Sequence, residues 1–187
     1  MKTVILVHGW GGSSKDSWLP WLKKELEKKD FQVITPDMPG NPDDPKIRKW
    51  VNHLQKIIKN PNKETYFIGH SMGCQAIMRY FEKVPKKTKV GGVLFVAGWF
   101  HLANLKSEEE KTAKHWTGTP IDLKDIKNKI KKAVFLVSKD EPFGFVEENS
   151  KTFKEKLNAK VITKENYGHF EDIKVPVILK TFLEMIK

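Results

Sequence analysis

Six short apolar runs punctuate the sequence, at 4–7 (VILV), 31–35 (FQVIT), 66–69 (YFIG), 93–97 (VLFVA), 133–137 (AVFLV) and 160–163 (KVIT), with room for a helix between each pair. Several are continuous rather than alternating, as expected of strands buried on both faces of a parallel sheet. The intervening segments carry helical period. Trp18, Leu22 and Leu26 fall at i, i+4 and i+8 behind Ser17, a candidate cap. Ile47, Trp50, Val51, Leu54, Ile57 and Ile58 trace a second stripe, and Val177, Ile178, Thr181, Phe182, Met185 and Ile186 a third, after Pro176 at a plausible first helical position. Such stripes face a core. Strands alternating with helices imply an α/β protein built as a three-layer α/β/α sandwich. One stretch, 98–122, breaks the alternation with SEEEKTAK and HWTGTP, and we expect a small lid or excursion there.

A chain of 187 residues is expected to form one domain, 1–187, able to bury a core without disulfides or metal. Its charge is lopsided, with 34 basic against 23 acidic residues and a net +11. That excess invites a nucleic-acid reading, but only Arg48 and Arg79 are arginine, and the planar guanidinium is what base edges and phosphates favour. The lysines are scattered over polar helix positions and read as a solvated shell that modestly favours anionic substrates. No nucleic-acid partner is expected. One cysteine, Cys74, excludes an internal disulfide, fits a reducing compartment and reads as a small core residue. The opening MKTVILVHGWGG lacks the apolar stretch of a signal peptide, and no run approaches the length of a membrane span. A cytoplasmic protein without membrane association is expected.

Gly69-His70-Ser71-Met72-Gly73 is a G-x-S-x-G pentapeptide. Alone it is a weak signal. Here it follows a predicted strand and opens a predicted helix over 72–84, with Ile77, Tyr80, Phe81 and Val84 on its apolar face. That placement suits a nucleophile elbow, in which flanking glycines remove the Cβ atoms that would clash in a strained turn. Ser71 is the candidate nucleophile. Of six histidines, His169 is placed to act as base, just past the last predicted strand in YGHF. His8 and His70 flank strands, while His53, His101 and His115 fall on a stripe edge or in the excursion.

The third group of such a site is a carboxylate after the penultimate strand, where Asp140 and Glu141 compete. Asp is the usual residue, since a short side chain holds imidazole in one tautomer. Counting from the strand end favours Glu141, and Asp140 remains the alternative. Two backbone N–H donors should meet the oxyanion: Met72, next after the nucleophile, and Trp10, in the glycine-rich loop HGWGG. That loop does not complete a dinucleotide fingerprint, and neither a phosphate-binding GK[ST] loop nor a His/Cys metal cluster is present. Trp99 and Phe143 are candidate substrate-binding residues, and Phe100, Trp116 and Phe145 are further candidates for an apolar acyl pocket.

Taken together, VILVHGWGG, WLPWLKKELEKK, DMPGNPDDP, FIGHSMGCQAIMRYFE, VGGVLFVAGWF, VSKDEPFGF and NYGHFED resemble, nearly end to end, the small serine hydrolases related to retinoblastoma-binding protein 9. The resemblance implies a minimal α/β-hydrolase fold with about six mainly parallel strands in the order 2-1-3-4-5-6, without a large lid. It implies ester, thioester or amide hydrolysis of a small-molecule acyl substrate through an acyl-enzyme, with Ser71 as nucleophile, His169 as base and no cofactor or metal. By position the acid falls on Glu141, where family members usually carry the second Asp of Asp-Asp-Pro. The usual Val-Pro nearby is replaced by Gly144-Phe145. The glutamate supports an alternative reading, a catalytically weak hydrolase acting as a protein-binding module, although nothing else in the sequence indicates a protein partner.

Overall fold

A computed structural model describes residues 1–187. Along the chain run β1 (Thr3–Val7), α1 (Leu19–Glu27), β2 (Gln32–Ile34), α2 (Ile47–Ile57), β3 (Thr65–His70), α3 (Met72–Lys83), β4 (Gly92–Val96), α4 (Ser107–Gly118), α5 (Leu123–Lys129), β5 (Ala133–Ser138), α6 (Val146–Leu157), β6 (Lys160–Lys164) and α7 (Pro176–Met185). The strands make one sheet in the order β2-β1-β3-β4-β5-β6, and every neighbouring pair is parallel. This is the α/β-hydrolase order expected from the resemblance.

Strand residues divide by parity between two cores. Ile5, Val7, Phe67, Val93, Phe95 and Phe135 pack with Trp50 of α2, Phe81 of α3 and Phe153 of α6. Val4, Leu6, Ile68, Leu94, Val96 and Leu136 pack on the opposite face with Leu22 of α1 and Phe182 of α7. Both faces of the sheet are therefore dry, which explains continuous apolar runs where a half-exposed sheet would alternate. Each fully buried Leu or Phe contributes about 1.5–3 kcal/mol relative to exposure. Pro176 does open α7. Ser17 does not cap α1; its hydroxyl donates to the Asp172 carbonyl at 3.2 Å and so ties that helix entry to the loop after β6.

The central helix α3 differs from the one-faced helix read from sequence, because Met72 through Phe81 are all buried. Its polar members find partners inside. The Arg79 guanidinium donates to the Trp116 and Thr119 carbonyls, each at 2.7 Å, at the C-terminal end of α4. Cations are favoured at that end of a helix dipole. The 98–122 stretch holds α4, of which only Ala113 and Trp116 are buried, so no apolar stripe announced it. Glu109 closes its N-terminus by accepting from the Lys106 N–H at 2.7 Å. No helix is long and apolar enough to cross a membrane.

Candidate active site

Loops at the carboxyl ends of the parallel strands meet at one place, as expected for an open α/β sheet. The sharpest of these turns joins β3 to α3. Ser71 sits there at φ 51° and ψ −119°, a conformation costly for a residue with a Cβ. Its N–H donates to the Val96 carbonyl at 2.9 Å, which ties the turn to β4. The flanking glycines are required by contact. A Cβ on Gly69 would lie 2.9 Å from Cys74 N, and one on Gly73 would lie 2.3 Å from the Val7 carbonyl oxygen of β1. Backbone cannot swing aside as a side-chain tip can. Gly73→Ala is therefore expected to destabilise the fold by about 3 kcal/mol or more, read as a lowered denaturation midpoint. Cys74, one turn further on, is buried, and burial pushes its thiol well above the ordinary range, so it offers no second nucleophile.

The loop after β6 presents His169, and the loop after β5 presents Glu141. His169 Nδ1 lies 2.7 Å from Glu141 Oε1, with both side chains less than a tenth exposed. A carboxylate accepts, so Nδ1 carries the hydrogen and Nε2 of the neutral ring keeps its lone pair. Glu141 Oε1 also accepts from the Phe143 N–H at 3.4 Å, whereas its buried Oε2 has no partner. Asp140 faces elsewhere. It accepts from the Ser138 hydroxyl and from the Gly168 N–H, and the Ser138 contact draws its carboxyl below the usual range. Of the two competing acids, Glu141 is the one beside the imidazole, and Asp140 braces the backbone leading to it.

Two histidines that the sequence left as strand neighbours brace the site. His70 Nε2–H donates to the His169 carbonyl at 2.7 Å, and its ring lies 5.0 Å from that of His169. His8 donates from Nδ1 to the Gly9 carbonyl and accepts from the Met38 N–H at Nε2, which holds it neutral. Trp18 adds a bond from its indole to the Phe170 carbonyl at 2.8 Å. Burial, and then the nearby His169, push His70 down to about 3. The unfolded chain, titrating near 6.5, therefore binds more protons than the fold between those two values. Stability from this group is complete above pH ~6.5 and drains away as pH falls toward ~3. His8, also lowered by burial, acts in the same direction. Thermal midpoints are expected to fall below pH ~6.5, and less steeply in His70→Gln, which keeps an N–H for the carbonyl; equal slopes would refute this.

Ser71, Met72, Trp10, Trp99, Phe143 and His169 share the wall of one cavity of about 320 Å³. Met72 N–H opens α3 and so has no partner within the helix. The loop carrying Trp10 is pinned by its indole bond to the Pro42 carbonyl (2.7 Å) and by the Gly11 N–H bond to Asn41 Oδ1 (3.0 Å). It packs so tightly that a Cβ on Gly9 would lie 3.1 Å from Ser71 Cβ. Leu102, Leu105 and Ala113 extend the wall, so α4 borders the cavity.

The other aromatic candidates lie elsewhere. Trp116 is buried under α4 with its indole on the Pro45 carbonyl, Phe100 packs on Phe153, and Phe145 is 41% exposed over His101. The carboxylates on the cavity wall are Glu109 and Glu171, and no lysine or arginine joins them. The wall therefore carries acidic groups and no member of the basic shell, and near neighbours dominate a local field. Sequence reasoning also missed Gln75 and Asn149. Both are buried and hold the strand-end backbone beside Ser71: Gln75 Nε2 donates to the Trp99 carbonyl, and Asn149 Oδ1 accepts from the Phe100 and His101 N–H groups. Polar residues on buried helix faces were the available signal.

Comparison with known proteins agrees with the fold. The profile of the serine hydrolase family matches residues 4–174. The Bacillus subtilis protein YdeN is 31% identical over 173 residues, which cover 90% of this chain and 86% of YdeN. The serine hydrolase RBBP9 of Rattus norvegicus is 25% identical over 187 residues, covering 99% and 95% of the two chains. The crystal structure of the B. subtilis ydeN gene product superposes with a TM-score of 0.88 at 26% identity, covering 99% of this chain and 98% of that one. Est1E from Butyrivibrio proteoclasticus, solved with ferulic acid bound, shares the fold at a TM-score of 0.75 and 16% identity, covering 100% and 90%.

Proposed function

Since the chain belongs to the serine hydrolase family, we propose that it cleaves small carboxylic esters, with thioesters and amides as related substrates, through an acyl-enzyme on Ser71. The observation that carries this reading is the 2.7 Å contact between Glu141 and His169 beside a cavity that Ser71 also lines. Ser71 Oγ attacks the carbonyl carbon and passes its proton to His169 Nε2, while the carbonyl π pair moves onto oxygen. The Met72 and Trp10 N–H groups receive that oxygen. Collapse expels the alcohol with the proton from His169. Water then repeats the sequence on the acyl-enzyme, and Ser71 leaves with its proton restored. Glu141 holds His169 in the tautomer that this exchange needs and stabilises the imidazolium formed.

The cavity volume and its wall of Trp99, Phe143, Leu102 and Leu105 suit a small apolar acyl or alcohol group. Its acidic rim disfavours anionic substrates. We assign the protein to the cytoplasm, where a single buried thiol remains reduced. The test is a panel of p-nitrophenyl esters of increasing chain length, run with fluorophosphonate labelling on wild type and Ser71→Ala. Labelling of wild type alone, with a chain-length optimum among short esters, is the expected result. Absence of both labelling and turnover in wild type would overturn the reading and favour a binding role.

A further inference from the structure

Trp99 and Ser71 share the cavity wall, and the Trp99 indole nitrogen lies 3.2 Å from Ser71 Oγ. An indole N–H donates and cannot accept, so Ser71 Oγ is the acceptor of this bond. Four other tryptophans, Trp10, Trp18, Trp50 and Trp116, donate from the same atom to backbone carbonyls, as structural tryptophans do. Trp99 instead meets the nucleophile. It is 4% exposed and held from behind: its carbonyl accepts from Gln75 Nε2 at 2.7 Å, and Gln75 Oε1 accepts from the buried Arg79 at 3.3 Å. The next two N–H groups, of Phe100 and His101, both donate to Asn149 Oδ1 at 2.8 and 3.0 Å. The donor is thus preorganised by partners that take no part in the proposed chemistry.

We infer that the Trp99 indole N–H is a catalytic donor to the nucleophile oxygen, turning the Ser71 hydroxyl proton toward His169 and stabilising the charge that returns to Oγ when the acyl-enzyme breaks down. This inference rests on the acyl-enzyme reading above. In acylation the Oγ–C bond forms, the hydroxyl proton passes to His169 Nε2 and the π pair moves to the carbonyl oxygen. Oγ begins this step as a hydroxyl that already accepts the indole bond, so the donor stabilises the starting state and the transition state alike. In deacylation water adds to the acyl carbon and gives a proton to His169. Collapse then breaks the C–Oγ bond, the bonding pair goes to Oγ, and Oγ takes the proton from His169. Here Oγ begins as an ester oxygen, a poor acceptor, and gains charge on the way to the transition state, so the donor acts mainly on the transition state. An N–H already aimed at it needs no reorganisation at that moment. The donor therefore speeds breakdown of the acyl-enzyme more than its formation.

The test is stopped-flow hydrolysis of p-nitrophenyl acetate by Trp99→Phe, which keeps an aromatic ring and loses the N–H, with intact-mass detection of the acyl adduct. Expected are a near wild-type burst of one p-nitrophenol per enzyme, a steady-state rate lowered about 10- to 100-fold, KM lowered in proportion, and an accumulated acetyl adduct. Wild-type burst and turnover would overturn the inference. So would a burst and turnover reduced together with a raised KM, which is the signature of a lost pocket wall. Benzothienylalanine placed at position 99 keeps the bicyclic shape with sulfur in place of N–H, and it must reproduce the slow deacylation even if Trp99→Phe misfolds; wild-type kinetics there also overturn the inference. Turnover surviving in Ser71→Ala would instead remove the acyl-enzyme reading itself, whatever Trp99 does.

Discussion

Ser71→Ala is expected to lower kcat by on the order of 10⁴-fold or more while the protein stays folded. The loss follows from what the hydroxyl does in the proposed reaction: it is the atom that becomes acylated, and no nearby group replaces it. Cys74 is buried with its thiol held protonated, and its sulfur faces the Gly69 carbonyl at 3.2 Å. Stability should change by less than about 1 kcal/mol, because alanine keeps the Cβ and so keeps the strained turn, and the lost hydroxyl bond faces the cavity. The measurement is ester turnover with fluorophosphonate labelling, paired with thermal unfolding. Folded Ser71→Ala with a tenth or more of wild-type turnover would refute Ser71 as nucleophile.

Glu141→Gln and Asp140→Asn, though neighbours, should behave differently. Glutamine at 141 has two ways to sit, and both are costly. With its oxygen toward His169, the amide nitrogen takes the place of Oε2, an atom that is buried without a partner, and a donor is stranded there. With the amide flipped, the NH₂ meets Nδ1, and the ring must move its hydrogen to Nε2, the nitrogen that has to accept the serine proton. We expect kcat to fall about 10²- to 10⁴-fold near neutral pH, with little change in KM. Asparagine at 140 keeps an oxygen for the Ser138 hydroxyl or the Gly168 N–H and should cost less than about tenfold. Steady-state kinetics of the two variants at pH 7 decide the matter. A larger loss from Asp140→Asn would return the role to Asp140, and no loss from either would mark a relic site.

Much of the fold was legible because parallel strands leave a one-dimensional trace. A strand covered on both faces must be apolar at consecutive positions, and 66–69 and 93–97 show this without ambiguity. Helices that bury one stripe, such as α2 through Trp50, Val51 and Leu54, were equally visible. α4 was not, since it buries two side chains and is otherwise polar. α6 was missed for a related reason: its inward positions are Asn149, Phe153 and Leu157, and an asparagine does not read as core until its partners are known.

At the site, chain order alone yields candidates for nucleophile, base and acid, because each is tied to the end of a particular strand. The strand–G-x-S-x-G–helix pattern marks Ser71, and the residue past the last strand marks His169. By itself the sequence determined the sheet's alternation, the elbow and a choice of two acids. Tertiary structure decided that Glu141 and not Asp140 meets the imidazole, since successive side chains in a turn diverge by angles that composition does not encode. It also decided that Trp99 N–H reaches Ser71 Oγ, that His70 holds the backbone of His169, and that a chain of net charge +11 keeps lysine off its cavity wall. The three contacts join groups far apart in sequence and are set only when the sheet brings its strand ends to one edge.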